Sequence, residues 1–404
     1  MPSILLTHGW SVTTDNSINK TCTATVVQGG KKMKWLQNGN LAKLVAFFVI
    51  AVVITCTVSF AANGWQSFIN DDLSGDNVVA DNKNPSNNST DEEKEADEEN
   101  IPVVLPTPKY YHAITGLETN LEASLKRPLC LTFGASDPLY GISSSYLTIE
   151  FPTEYGNTRF LCFTDEAKSL GKIGSLSPSR GYISSLATYF GGILLSYGTD
   201  DAFEYQYCEP LDRLDFVETN GYCYTEYNSF VYTNGDLVNA FLNNSRVNLA
   251  SSDVCNLPYS FPEPDKKADI DGSSATTISI AYSEKNSTQL NYSALDGRYV
   301  LSKNSIVKND LLNDKPLKYD NAFILYSNST TYETEADTQL ILDTFTKGSG
   351  IYATNGVCIE ITWEKDESDN LVFYNTDGEK LIVNRGTTYI SFVKASSKSS
   401  VKIS

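Results

Sequence analysis

The chain has 404 residues and a formal net charge of −18, from 49 acidic and 31 basic residues. This balance argues against nucleic-acid binding, because a nucleic-acid surface needs a basic stripe that displaces counterions. Only two histidines are present, His8 and His112, so a histidine-based metal site or catalytic triad has almost no residues to draw on. We therefore predict no metal, no cofactor and no nucleic-acid partner, and we expect His112 to be a surface residue.

The first element along the chain is an uncharged apolar run, "LVAFFVIAVVITCTVSF", at Leu44–Phe60. It is just long enough to span a hydrocarbon core. Four lysines lie between residues 31 and 43, whereas the first charges after the run are Asp71 and Asp72. A positive flank inside and an acidic flank outside predict that the remainder of the chain lies outside the cytoplasm, with the cytoplasmic membrane as a partner of the apolar run.

Residues 33–62 allow three interpretations, which all place the following chain on the same side of the membrane. The segment can be a retained membrane anchor, a signal peptide that is cleaved after Ala61, or a lipoprotein signal that is lipidated at Cys56. In the second case the protein is secreted. Codons available for "QGGKKM" can also spell a bacterial ribosome-binding site followed by a start codon at Met33. We therefore predict that residues 1–32 are a non-native leader and that the protein starts at Met33.

Residues 63–105 are rich in Asn, Asp, Glu and Ser and contain few large apolar residues. Such a segment cannot bury enough surface to offset its chain entropy, so we predict a disordered acidic tether. From residue 106 the sequence changes to short apolar runs between turn residues, which are typical of strands.

The pattern beyond residue 105 predicts an α+β fold. Residues 106–265 combine strands such as "SYLTIEFP" with two helices. The first, in "SRGYISSLATYFGGILLSYG", runs into a buried strand after a break at Gly191 and Gly192, and the second, in "NGDLVNAFLNN", has Asp236 or its neighbour near the N-cap. We expect a mixed, layered α/β subdomain there. Beyond residue 265 the strand-like runs are "ATTISIAYS", "DNAFILYSN", "QLILDTF", "GIYATNG", "VCIEITWEK", "LVFYNTDGEKLIVN" and "TTYISFV". With a tight hairpin at "NTDGEK", they predict a mostly antiparallel, β-rich second subdomain over residues 266–404.

Six cysteines lie beyond the apolar run. Disulfides are permitted outside the cytoplasm, and Cys208 with Cys223 is the nearest pair in sequence. The alternative is that most of these cysteines are buried residues with free thiols.

Several motifs occur in an order that resembles the YerB-like lipoprotein family of bacteria, a two-part domain of unknown function. The motifs include "EFPTEYGNTRFL" at 150–161, "IGSLSPSRGYISSLATYFGGILLSYG" at 173–198, "YDNAFIL" at 319–325, "GVCIEITWEK" at 356–365 and "FYNTDGEKLIVNRGTTYISFV" at 373–393. The likeness covers most of residues 110–396, and its closing stretch is the most specific part. The resemblance implies an extracytoplasmic protein with a lipoprotein-type leader, an α/β first part and a β-rich second part, but no known reaction.

Members of this family carry a polar set in the first part, and the resemblance places Glu150, Glu154, Arg159 and Arg180 at the matching positions. Other positions depart from the family pattern, and the residues found there are Ser177, Ser229, Leu301 and Lys308. These departures argue against a family-wide catalytic activity in this chain.

The candidate site residues are the carboxylates Glu150 and Glu154, with Arg159, Arg180 and Tyr182 as candidate ligand-binding residues. Spacing by four along a strand would put both carboxylates on one face. They can form buried ion pairs that join the strand region to the helix of Arg180, bind a ligand, or act in acid–base catalysis. Arg180 and Tyr182 lie at a predicted helix start, where an anion would also be stabilised.

Two functions follow from these observations. The first is a membrane-anchored, extracytoplasmic protein of the cell envelope that binds a ligand or a partner protein without catalysing a reaction. The alternative is a hydrolase of an envelope polymer that uses Glu150 or Glu154, which requires these carboxyls to face an open cleft.

Overall fold

The computed structural model describes residues 108–198, 213–215, 221–226, 229–245, 247–250, 257–268, 270–333, 338–368 and 370–404, together with three strands before residue 35. The chain divides into two compact units, residues 1–101 and 102–404. In the first unit, β1 (Ile4–Val12), β2 (Ile18–Gln28) and β3 (Lys31–Lys34) form an antiparallel sheet. Translation from Met33 stays a prediction.

The segments predicted to anchor and tether the protein, which include Leu44–Phe60 and Cys56, lie outside the described residues. Within the described part, no helix has both the length and the apolar character needed to cross a membrane.

The second unit is mostly β-sheet. Its strands, in chain order, are β4 (Tyr110–Tyr111), β5 (Glu118–Thr119), β6 (Leu129–Gly134), β7 (Leu147–Pro152), β8 (Thr158–Thr164), β9 (Ile173–Leu176), β10 (Ile193–Ser196), β11 (Arg213–Asp215), β12 (Tyr224–Thr225), β13 (Val231–Thr233), β14 (Ser273–Ser274), β15 (Thr277–Ser283), β16 (Asn286–Ser293), β17 (Arg298–Lys303), β18 (Ile306–Val307), β19 (Asn309–Asp310), β20 (Lys315–Pro316), β21 (Lys318–Tyr319), β22 (Asn321–Ser327), β23 (Ser329–Glu333), β24 (Thr338–Leu342), β25 (Lys347–Thr354), β26 (Val357–Lys365), β27 (Leu371–Tyr374), β28 (Thr388–Lys394) and β29 (Val401–Ile403).

Three α-helices occur in the described part, and all lie before residue 245, as predicted: α1 (Leu121–Ser124), α2 (Gly181–Tyr189) and α3 (Gly235–Asn244). Helix α2 is followed at Gly191 by a left-handed residue (φ 71°), and the chain then enters β10. Glycine adopts this conformation without a steric penalty, so the predicted break between helix and strand is confirmed. The N-cap of α3 is Asn234, whose side chain accepts a hydrogen bond from the backbone N–H of Leu237.

A 14-stranded sheet forms the centre of the second unit, with its main path in the order β12-β13-β9-β6-β8-β7-β28-β22-β25-β26-β14. Strands from both sides of the predicted boundary at 265/266 share this sheet, because β7 pairs in parallel with β28, with Ile149 opposite Ile390. Strand β22 is buried at every position. Its continuous apolar run agrees with a strand that is covered on both faces.

Two hydrophobic cores cover the two faces of this sheet. On one face, helix α2 packs its buried residues Ile183 and Leu186 in a cluster with Phe151 and Phe392. On the other face, a six-stranded sheet made of β18-β17-β16-β15-β29 and β21 supplies Ile278 and other buried side chains. The second unit is therefore layered as helix, large sheet and smaller sheet, and Glu150 lies in the large sheet between the other two layers.

Candidate functional site

Glu150 lies in β7, at the centre of the large sheet, and is completely buried. Its Oε1 forms a salt bridge of 2.6 Å with Lys303 Nζ, and the lysine side chain is only 4% exposed. The other oxygen, Oε2, accepts hydrogen bonds from Thr288 Oγ1 (2.8 Å) and from the Tyr389 hydroxyl. Lys303 also donates to Thr158 Oγ1 (3.1 Å) and Thr288 Oγ1 (2.8 Å). Both charges therefore have several hydrogen-bond partners, as a buried ion pair requires.

Two tyrosines enclose this ion pair. Burial, together with the nearby Glu150 charge, raises the pKa of Tyr282 and Tyr389 well above 10. The Tyr282 hydroxyl shares a hydrogen bond of 2.5 Å with Ser391 Oγ, and its ring centroid lies 5.3 Å from Lys303 Nζ. The tyrosines stay neutral at physiological pH, so the cluster holds one negative and one positive charge in an interior closed to solvent.

Glu154 lies in a single 3-10 turn, because β7 ends at Pro152. The expectation that Glu150 and Glu154 share one strand face was therefore wrong. Glu154 Oε2 forms a 2.6 Å salt bridge with Arg180 Nη2, and the two side chains are 12% and 7% exposed. Its Oε1 accepts a hydrogen bond from the backbone N–H of Leu340 in β24.

Arg180 is the N-cap residue of α2, in agreement with the prediction that it stands at a helix start. Arg159, in β8, donates from Nη1 to the carbonyl oxygen of Pro178 (2.8 Å), just before the same helix. The structure thus brings Glu154, Arg159 and Arg180 to the start of α2, whereas Glu150 pairs with a lysine from the second half of the chain. The ion-pair interpretation of the carboxylates agrees with these contacts.

Neither Glu150 nor Glu154 faces an open cleft in the manner a hydrolase needs. Glu150 is sealed in the core, and Glu154 is bound on both oxygens. A general acid needs contact with its substrate and a suitably raised pKa, and the geometry provides no such contact at Glu150.

His112 is not a simple surface residue, contrary to the prediction. Its side chain is 15% exposed and lies edge-on to Tyr146, with ring centroids 4.4 Å apart. Nδ1 accepts hydrogen bonds from the backbone N–H groups of Ile114 and Thr115, and Nε2 lies 3.3 Å from Asp165 Oδ2. The hydrogen-bond pattern assigns the ring proton to Nε2. His112 therefore fixes the start of the folded unit.

Positions that depart from the family pattern also have structural roles. Leu301 is fully buried in the core. Lys308 donates to the Asp137 carbonyl oxygen (2.9 Å), and burial lowers its pKa. Ser229 adopts a left-handed turn conformation (φ 66°). These contacts show no catalytic arrangement around the three residues.

The cysteine predictions are tested only in part. Cys162 and Cys358 have free thiols, and burial raises the pKa of Cys162 to about 12. Cys208 lies outside the described residues, so the Cys208–Cys223 disulfide stays a prediction. Within the described part, no group of three or more His, Cys, Asp or Glu side chains is arranged to hold a metal ion.

A cavity of about 900 Å³ lies between helix α2 and the hairpin formed by β23 and β24. We call this cavity the α2–hairpin groove. Its helix wall includes Tyr182, Ser185 and Tyr189, whose spacing puts them along one side of the helix. Its volume lies within the range of about 300–1,000 Å³ that is usual for ligand sites.

Most residues that line the α2–hairpin groove carry an uncharged polar group, although more of the lining surface is apolar than polar. Its residues carry hydroxyl, amide and aromatic groups, with Asp343 and Lys365 as the charged side chains among the described residues. Asp343 Oδ1 already accepts hydrogen bonds from the backbone N–H groups of Phe345 (3.3 Å) and Thr346 (2.9 Å). Lys365 Nζ lies 5.8 Å from the Phe345 ring centroid.

Glu154 connects the two walls of the groove. It is salt-bridged to Arg180 at the start of α2 and accepts the Leu340 N–H from β24. Tyr189 adds a second connection, because its ring packs edge-on against Phe345 with centroids 5.6 Å apart and its hydroxyl donates to the Leu371 carbonyl oxygen (3.0 Å). The walls are thus held at a fixed distance by an ion pair and by aromatic packing.

One candidate ligand-binding residue lies on the helix wall of this groove, whereas no residue of the hairpin wall was a candidate. Tyr182 lines the groove, and Glu154 and Arg180 brace it, but the hairpin residues around Thr330 and Asp343 were not proposed. The feature of the sequence that could have indicated them is the run of hydroxyl-bearing residues in "NSTTYE" at 328–333. Such runs are also common on protein surfaces that bind no ligand.

Comparisons with known proteins agree with the fold described above. Residues 278–390 match the family model for the C-terminal domain of a protein of unknown function, DUF3048. The chain is also similar to the crystal structure of the YerB protein from Bacillus subtilis, with a TM-score of 0.62 and 19% sequence identity over 73% of this chain and 100% of that chain. No curated protein matches the sequence.

These two findings give the class of protein: residues 278–390 are similar to a DUF3048 C-terminal domain and belong to a β-rich, layered body. That body has the fold of YerB, and the resemblance to the YerB-like family predicted from the sequence is confirmed.

Proposed function

We propose that this protein is an extracytoplasmic binding protein of the cell envelope, which holds a polar, largely uncharged ligand in the α2–hairpin groove. The observation that carries the proposal is the size and lining of the groove, about 900 Å³ with hydroxyl, amide and aromatic side chains. Concave sites with aromatic surfaces and a few placed polar groups are typical of ligand binding. An envelope polymer of sugars and short peptides presents the matching hydroxyl and amide groups.

The environment of the carboxylates favours binding over hydrolysis. Glu150 is buried in an ion pair with Lys303, and Glu154 is held by Arg180 and Leu340. Glycoside hydrolysis, for example, needs two carboxyl groups that flank the scissile bond. Here the carboxylates stabilise the body and the walls of the groove.

The location in the envelope rests on the sequence before residue 106. Leu44–Phe60 with its lysine flank supports a membrane anchor, and lipidation at Cys56 or cleavage after Ala61 are the variants of that arrangement. A flexible chain with the length of the acidic segment 63–105 has a mean span of roughly 35 Å, enough to hold the body away from the bilayer. Membrane fractionation together with N-terminal mass spectrometry tests the anchor, its processing and the start at Met33.

The groove is tested by a pair of substitutions at neighbouring positions of one strand. Thr330 is exposed and lines the groove, whereas Thr331 is exposed and does not line it. Successive side chains of a strand point to opposite faces, so Thr330→Arg places a long charged side chain at the groove and Thr331→Arg places it elsewhere. Both are surface changes, which usually alter stability by less than about 0.5 kcal/mol.

The measurement is co-sedimentation of the purified protein with peptidoglycan sacculi. We expect the wild-type protein and Thr331→Arg to sediment equally. We expect Thr330→Arg to lose at least about tenfold in affinity, because its side chain would occupy contacts that the ligand needs in the groove. Absence of binding by the wild-type protein, or equal binding by both variants, would rule out the proposed use of the groove.

A further inference from the structure

A second cavity, of about 280 Å³, has a charge opposite to that of the whole protein. It lies between the 3-10 turn at Ile142–Ser144 and the segment that includes β20 and β21. Arg298, Lys315 and Lys318 line it, and no acidic side chain does so within the described part of the chain. In a protein with 49 acidic and 31 basic residues, this concentration of positive charge marks the cavity as different from the general surface. We call it the basic cavity.

Arg298 is held in a fixed orientation at this cavity. Its Nη2 donates to the Lys318 carbonyl oxygen (2.7 Å) and to Thr387 Oγ1 (2.8 Å). Its Nε lies 3.5 Å from Asp320 Oδ1 and is buried without a hydrogen bond. No described residue accepts a hydrogen bond from Nη1. A pre-oriented guanidinium with an unused Nη1 is suited to an oxyanion, because its planar donors match the geometry of phosphate oxygens.

The acidic residues near the basic cavity are engaged with other partners. Lys318 forms a salt bridge with Asp296, and Asp320 lies beside Arg298. Asp320 Oδ2 already accepts hydrogen bonds from the backbone N–H (2.7 Å) and Oγ1 (2.8 Å) of Thr387. Lys315 is exposed and forms no salt bridge with any described residue. Asp310, opposite Lys315 in the β19–β20 pair, is buried and accepts hydrogen bonds from the backbone N–H groups of Gly141 and Ser143, and Asp314 accepts one from Asn309 Nδ2. None of these carboxylates forms a salt bridge with Lys315, so its ammonium group is available to a ligand.

The rest of the lining sets the size and nature of the ligand. Ser145 and Thr387 contribute hydroxyl groups, while Ile142 and Leu317 contribute apolar surface. The volume lies just below the lower end of the range of about 300–1,000 Å³ for small-molecule sites, so it suits a compact group. A phosphate with a short organic stem satisfies the cations with its oxygens and the apolar wall with its stem.

We propose that the basic cavity binds the phosphate group of a small phosphate-bearing molecule, through Arg298 and Lys315. The site is separate in its residues from the α2–hairpin groove and does not depend on the function proposed for that groove. Two sources share this chemistry, free inorganic phosphate and an organic phosphate ester such as a glycerol phosphate headgroup.

The test is isothermal titration calorimetry of the full-length protein, purified in detergent, with sn-glycerol 3-phosphate and with inorganic phosphate at equal ionic strength. We expect binding of the phosphate group in at least one titration. A lower Kd for the ester identifies an organic phosphate as the ligand, and a Kd that is equal or lower for inorganic phosphate identifies the free anion.

Variants separate the site from general electrostatics. Lys315→Gln should raise the Kd about threefold to tenfold, because it removes an exposed charge that has no other partner. Arg298→Gln should raise it more than tenfold, since it removes charge-assisted hydrogen bonds. Lys347→Gln is the matched control: Lys347 is also exposed, but it lies in β25 and does not line the cavity.

If Arg298→Gln impairs folding, the Lys315→Gln variant still tests the site. The Lys315 side chain is exposed and makes no salt bridge in the described part of the chain, so its replacement should not affect folding. Absence of binding in both titrations overturns the proposal. So does a Kd for Lys315→Gln that equals the Kd for Lys347→Gln.

Discussion

Two glutamates four residues apart, Glu150 and Glu154, occupy different kinds of environment. Glu150 and Lys303 are 0% and 4% exposed and join the large sheet to the smaller one. Glu154 and Arg180 are 12% and 7% exposed and connect helix α2 with the hairpin wall of the groove. Both pairs have the same N–O distance, 2.6 Å, so distance alone does not separate them.

The difference between the pairs lies in what surrounds them. The Glu150 pair is enclosed by hydroxyl groups from three further strands, so neither charge can recover hydration when its partner is removed. The Glu154 pair is close to the surface. Its carboxylate accepts a hydrogen bond from a backbone N–H of β24, which forms a two-stranded sheet with β23. We therefore expect the first pair to control global stability and the second to control local order at the groove.

The largest effect is expected for Glu150→Gln. This change leaves Lys303 charged and buried, and breaking one side of a buried ion pair costs about 3–5 kcal/mol. The measurement is the free energy of unfolding from urea denaturation. Exposed Glu360, in β26, provides the control, and Glu360→Gln should change stability by less than about 0.5 kcal/mol.

The double variant Glu150→Gln/Lys303→Met sharpens this result. Replacing both charges removes the uncompensated ammonium group, so part of the lost stability should return. A stability of Glu150→Gln within 1 kcal/mol of the wild type, on the order of a surface pair, would show that the carboxylate is not held as described.

Glu154→Gln should lower the free energy of unfolding by a smaller amount, about 1–3 kcal/mol, because the hydrogen bonds that it weakens involve a charged but partly solvated group. The local effect should be clearer than the global one. Hydrogen exchange at the Leu340 amide should accelerate, since this N–H donates to the Glu154 carboxylate. Glu333→Gln, at an exposed position of the same hairpin, is the control. Equal exchange in both variants would mean that Glu154 does not brace the hairpin.

Local patterns predicted many elements of this fold. The alternation in "VCIEITWEK" corresponds to β26 over the same residues, with Ile361 and Trp363 buried on one face. Helix α2 and the strand after it follow from apolar periodicity interrupted by glycine. These elements were predictable because their own apolar residues determine which face is buried.

Strand β16 was not predicted, and its chemistry explains why. Its sequence "NSTQLNYS" is polar, yet Asn286 and Thr288 are buried. Thr288 faces inward because it donates to Glu150 and accepts from Lys303. Such a strand has polar residues on its buried face, so hydrophobic alternation does not reveal it.

The partners in the site depend on long-range pairing that spacing cannot provide. Glu150 and Lys303 are 153 residues apart, and Glu154 meets Leu340 at a separation of 186 residues. The sequence offered ion pairs to the helix of Arg180 as one of three alternatives, which agrees with Glu154 but not with Glu150, and it placed Arg180 at a helix start. It did not indicate which basic side chain contacts which carboxylate, because these contacts depend on the order of strands in the sheet.

Both carboxylates have structural roles, and we propose that the groove binds its ligand without catalysis. The most direct test incubates the wild-type protein with peptidoglycan sacculi and measures the release of soluble sugar and peptide fragments. We predict co-sedimentation with no release above the buffer control. Release by the wild-type protein that is lost in a folded Glu154→Gln variant would contradict the account.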